Sequence, residues 1–222
     1  MADSVLTYLD GYCERAGSVA ALGEPLNLFT NLFFILAAML TARALAKREA
    51  PGRCIDLCVL ICLLFMIGLG SGLWHLAPSR STVLMDVVPI TLFINLYILC
   101  TLRRLFAQSW GKVAFYWGLY FAAGLVAQAT LPPSLLNGTI MYIPTYAMLM
   151  LLTLMLRKRD AMAGNAFTLA LMVWTVSLMF RTIDMDICHS LGIGTHFLWH
   201  TLNAWVLWKL LMTLVKQKYD VN

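Results

Sequence analysis

Apolar residues in this chain come in long runs, not in strict alternation and not along one helical stripe. Seven runs stand out: Pro25–Ala46, Ile55–Leu76, Ser81–Leu102, Val113–Leu131, Ile140–Leu156, Phe167–Phe180 and His196–Val215. About 20 apolar residues cross a bilayer as a helix, and most of the runs approach that length. The sixth is short unless it starts near Met162. The runs lack a polar face, which argues against a soluble amphipathic bundle. The pattern predicts an all-α, polytopic membrane protein. It is one seven-transmembrane helix bundle over residues 1–222, with 1–24 as a short extracytoplasmic segment.

Composition agrees with this reading. Of 222 residues, 61% are apolar and 12% charged, against about 45–50% and about 25% in an average soluble domain. A soluble globule of this size has too little interior for so much apolar surface. Disorder, collagen and a disulfide-rich secreted module are excluded as well. The net charge of +5 does not indicate nucleic-acid binding, because the basic residues lie between apolar runs, where they set membrane topology. One set of loops and ends carries Arg43, Lys47, Arg48, Arg53, Arg103, Arg104, Lys112, Arg157, Lys158, Arg159, Lys209, Lys216 and Lys218. The other carries only Arg15, Arg80 and Arg181. This bias places the C-terminus in the cytoplasm and the N-terminus outside, as an odd number of spans requires. The first 24 residues show no basic-then-apolar leader pattern. Compact loops without a leader or retention sequence point to a bacterial inner membrane or a eukaryotic endomembrane.

Ionisable side chains are costly in lipid, so each one is a functional candidate. All four histidines fall on the predicted outer half, with His75 ending the second run and His196 and His200 opening the seventh. The spacing of His196 and His200 puts both rings on one helix face, where they can share a metal ion. The glutamate of an H-E-x-x-H motif is missing. Alone, the pair reads equally well as interfacial histidines. His75 adds a third imidazole at the same depth, and three histidines with an open fourth position suit catalytic zinc. Ser71 precedes His75 by one helical turn, placed either to donate to an oxyanion or to bond its own helix backbone. Asp86 opens the third run as a candidate proton acceptor, or else as a helix cap or a partner of Arg80.

Asp10, Glu14, Glu24 and Asn27 gather oxygen donors near the same surface, as a hard cation such as calcium requires, without forming an EF-hand loop. The bland alternative is an acidic solvated tail with Glu24 capping a helix. Cys54, Cys58 and Cys62 follow one helix face from the cytoplasmic side and read as reduced packing residues, and Cys100 stands alone. Cys13 and Cys188 both lie outside, where disulfides persist, and are expected to pair.

These segments together resemble the alkaline ceramidase family of the CREST superfamily of seven-span hydrolases and receptors. The resemblance rests on Y-C-E-R with G-E-P-L-N-L-F-T-N, on G-S-G-L-W-H with Asp86, and on D-M-D-I-C with G-T-H-F-L-W-H, over about residues 8–208. It implies zinc on His75, His196 and His200, with Ser71 and Asp86 as the active-site serine and aspartate. The implied reaction cleaves the ceramide amide, a lipid substrate taken from the bilayer, into a fatty acid and a sphingoid base. It also implies a Ca2+ site at Glu14 and Glu24. Asp10 matches that motif only loosely, and the family's downstream asparagine meets Arg15 or Ala16 here. Cys13 and Cys188 stand where the family can form a disulfide.

The expected function is an intramembrane zinc-dependent amidohydrolase of ceramide or a related N-acyl lipid, its site on the extracytoplasmic side. The alternative is a seven-span lipid receptor or sensor of the progestin and adiponectin receptor type. A transporter is disfavoured, since matching acids in the inner halves and inverted repeats are lacking.

Overall fold

The computed structural model describes residues 11–15, 22–47 and 54–217. The helices in chain order are α1 (Pro25–Thr30), α2 (Leu32–Ala46), α3 (Ile55–Leu76), α4 (Arg80–Arg104), α5 (Trp110–Thr130), α6 (Ile143–Arg159), α7 (Ala161–Ile183), α8 (Cys188–Leu191) and α9 (His196–Lys216). A 3-10 turn, Thr139–Tyr142, leads into α6. No strand occurs among the described residues.

Six helical stretches are long and apolar enough to cross a membrane: Pro25–Ala46, Ile55–Leu76, Arg80–Arg104, Trp110–Thr130, Thr139–Arg159 and Ala161–Ile183. They make the chain an integral, multi-pass membrane protein. The sixth is longer than the apolar run Phe167–Phe180. Asp160 caps it by accepting from the Ala163 amide at 3.0 Å, and its first turns pass through Gly164 and Asn165, which interrupt the run. The seventh run is the 21-residue helix α9, but its hydropathy is lowered by His196, His200, Asn203 and Lys209. Three of these four, all except Lys209, are buried inside the bundle.

In sequence order the long helices close a ring, with α9 returning to pack on α2, α7, α3 and α4. The core between them is filled by Leu57, Leu60, Leu64, Phe93, Phe167, Leu211 and Leu214. Lipid is as apolar as these side chains, so close contact between helices depends on small residues at the crossing. Gly70 is the sharpest case. A methyl added there would lie 1.8 Å from the Met85 carbonyl oxygen of α4. That close approach places Ser71 next to Asp86.

Helix α5 is the loosest wall, with only Val113 and Ala127 buried. Cys58 and Cys62 are exposed on the outer face of α3 and do not pack in the core, unlike Cys54 and Cys100. Cys100 is not alone, because its thiol lies near the Asp56 carboxylate. Arg104 holds that same carboxylate with two hydrogen bonds, of 2.7 and 2.6 Å.

Candidate metal centre

Three histidines converge at the outer end of the bundle. His75 comes from the last turn of α3, and His196 and His200 from the first two turns of α9. All are at most 2% exposed. Their ring centroids stand 4.7–5.5 Å apart, and one ligand atom from each lies within 4.8 Å of the others. No other cluster of three or more histidine, cysteine or acidic side chains suited to a metal occurs among the described residues.

The neighbours of each ring fix its orientation. His75 Nδ1 meets Glu24 Oε2 at 2.5 Å, so its proton sits on that side and Nε2 points inward. His200 Nδ1 donates to the Asn27 carbonyl at 3.0 Å, with Thr30 Oγ1 at 3.1 Å. Metal-binding histidines commonly carry such a partner on the second nitrogen. His75 Nε2 and His196 Nδ1 are buried without any hydrogen-bond partner. A buried orphan imidazole nitrogen is costly, and a borderline-soft cation, of which zinc is one, is a partner that three imidazoles fit. The Tyr12 ring covers His75 and His196 at 4.9 and 4.3 Å. Burial pushes its phenol up to about 12, so it stays a hydroxyl.

Ser71 and Asp86 face this end of the bundle. The Ser71 side chain stands beside the Asp86 carboxyl, whose Oδ1 is buried without a hydrogen-bond partner. Asp86 does not cap its helix. Ser79 and Thr82 form a reciprocal capping box there, and Asp86 sits further into α4. Its ionisable neighbours are His75 and Arg181. A cavity of about 510 Å³ is lined by Ser71, Asp86, His196 and His200 together with many apolar residues such as Ile90, Phe93 and Leu149. Its walls come from α2, α3, α4, α5, α6, α7 and α9 and from the 3-10 turn before α6.

Several residues that shape the site are not among the expected site residues, although Asp184 and Gly194 fall inside the D-M-D-I-C and G-T-H-F-L-W-H segments. Asp184, fully buried, accepts from the backbone amides of Cys13 (3.1 Å), Thr195 (2.6 Å) and His196 (2.8 Å). It therefore satisfies the first free N–H groups of α9 and sets where that helix begins. Gly194 is required beside it. Its φ is +62°, and an added methyl would sit 2.2 Å from Asp184 Oδ1. Arg181 lines the cavity with its guanidinium 5.4 Å from the Trp199 ring and 5.9 Å from that of Tyr142. No sequence spacing marks Asp184 or Arg181, because their partners lie across the chain or on the backbone.

Cys13 and Cys188 are joined by a disulfide across a sequence separation of 175 residues. The bond ties the Tyr12–Arg15 segment down over the histidines. Cys188→Ser is expected to cost about 2–5 kcal/mol, read as a lower Tm that reductant no longer shifts.

The N-terminal acids do not fit a calcium ion. Glu24 bonds Arg15 Nε and His75 Nδ1, and accepts from Asn27 Nδ2 at 2.9 Å. Burial pushes the Glu24 carboxyl up, but the His75, Asn27 and Arg15 contacts outweigh it and hold it below its ordinary value. Both Glu14 oxygens accept backbone amides, from Leu26 at 2.7 Å and Asn27 at 2.8 Å. A guanidinium stands where a dication would need ligands. Asp10 lies outside the described residues, as do Arg48, Arg53 and Lys218 of the charge bias.

No family model matches the chain, and no curated protein matches it in sequence.

Proposed function

We propose that this protein is an intramembrane zinc amidohydrolase that cleaves the N-acyl amide of ceramide or a related lipid, releasing a fatty acid and a sphingoid base. One observation supports this most. Three buried imidazoles, two with unpartnered ring nitrogens, stand together, and two of them, His196 and His200, line a cavity whose walls are mostly apolar. Imidazoles beside a mostly apolar cavity suit a lipid with an amide at one end and a hydrocarbon chain at the other. The resemblance to the alkaline ceramidases supports the same residues.

In this reading α9 is a seventh span, with His196, His200 and Asn203 turned inward. The basic bias of the loops puts the N-terminus and the histidines on the extracytoplasmic side.

Zinc on His75, His196 and His200 would supply Lewis acidity and lower the pKa of a water from about 15.7 towards about 7. The residues of the chain do the rest. Glu24 and the Asn27 carbonyl hold the His75 and His200 rings with their remaining nitrogens facing the substrate end. Asp86 takes the proton of the attacking water and returns it to the leaving amine. The Ser71 hydroxyl donates to the oxygen that gains charge in the transition state. The apolar stretch from Ile90 to Leu149 holds the acyl chain away from water.

Asp86→Asn is expected to lower kcat by about 10²–10⁴-fold, and Ser71→Ala by about 10²–10³-fold. Both should retain one zinc per chain by elemental analysis. Loss of zinc in both variants, or full activity in either, would remove these roles.

A further inference from the structure

Arg15 is a buried cation with no place in the chemistry above. It is 2% exposed and comes from the N-terminal segment held down by the disulfide at Cys13. Its Nε bonds Glu24 Oε1, and its Nη2 donates to the His75 carbonyl at 2.8 Å. His75 is thereby gripped twice. Arg15 holds its backbone, and Glu24, itself held by Arg15, holds its ring.

We infer that the Arg15 guanidinium is this protein's built-in counter-cation, a positioning residue that neutralises Glu24 and sets His75, so that the centre assembles without calcium. Two carboxylates, Glu14 and Glu24, meet at this corner, and an acidic pair needs positive charge. A bound calcium is one solution. A guanidinium supplied by the chain is another, and it needs no ion from solution. Its planar fork serves the Glu24 carboxylate and the His75 carbonyl together, which a lysine ammonium on a flexible stem does less well. The disulfide and the Cys13 amide bond to Asp184, at 3.1 Å, fix the segment that delivers it.

The zinc part of the test rests on the proposed metal centre, and the calcium part does not. Calcium chloride is titrated calorimetrically into the purified, zinc-loaded wild-type protein in detergent. The expected result is no saturable binding up to about 1 mM, the range of weak extracellular calcium sites. Zinc affinity is then measured for two variants. Arg15→Gln is expected to lose about 10- to 100-fold, as removal of a partner behind a ligand does, and Arg15→Lys less. If Arg15→Gln does not fold, Arg15→Lys and the wild-type titration still decide. Saturable calcium binding by the wild type overturns the inference, as does unchanged zinc affinity in Arg15→Gln. If the wild type binds no zinc, the proposed metal centre falls, while the calcium titration still tests Arg15 as the built-in cation.

Discussion

His200→Ala is expected to leave the protein without stoichiometric zinc and without amidase activity. The ring is buried, stands 4.7 and 4.8 Å from the other two, and has its Nδ1 committed to the Asn27 carbonyl. Removing a hydrogen-bond partner of a ligand costs about 10–100-fold in metal affinity, so removing the ligand itself should cost more than about 100-fold. His75→Ala should behave alike. The control is His189→Ala, because His189 is exposed on α8 and faces none of the three. It should keep both zinc and activity. The check is zinc content alongside turnover for each variant. A His200→Ala protein with full zinc and full turnover would mean that the cluster is not the active centre.

Asp184→Ala should be the most destabilising single change outside the histidines. Three backbone N–H groups, of Cys13, Thr195 and His196, donate to its carboxylate in a site closed to water. Each buried donor left unsatisfied costs about 1–3 kcal/mol. The loss also frees the N-terminus of α9, which carries His196 and His200. Asp184→Ala is therefore expected to lower Tm by many degrees and to weaken zinc binding together with it. Asp184→Asn keeps an oxygen acceptor and should fall between the alanine variant and the wild type. Thermal unfolding followed by zinc titration of the surviving protein makes the comparison. An unshifted Tm in Asp184→Ala would show that the α9 terminus is held by something else.

The long helices are legible because a membrane span writes itself as an apolar run with charges at its ends. Pro25–Ala46 and Ile55–Leu76 coincide with their runs to the residue. The start of α7 is hidden because Gly164 and Asn165 interrupt the run, while the cap at Asp160 is a local hydrogen bond that hydropathy does not see. The histidines are legible through depth. Three imidazoles at one end of different spans are improbable partners for lipid, and helical spacing puts two of them on one face. Asp184 and Arg15 are not legible in the same way. Each acts on backbone atoms of distant residues, and a charged residue near a membrane surface looks the same whether it is solvated or buried. The acidic N-terminal segment reads as a cation site from its oxygen donors, and the guanidinium among them changes that reading only once its side chain is placed.

The central claim is that the buried histidines build a zinc centre that hydrolyses an N-acyl lipid. The most direct measurement is fatty-acid release from ceramide by the purified protein in detergent, with zinc bound, after zinc is stripped by a chelator, and after zinc is restored. The account predicts release that stops on stripping and returns with zinc. Release that continues from metal-free protein would contradict the metal mechanism, and a zinc-loaded protein that releases nothing would contradict the proposed amidase activity on ceramide.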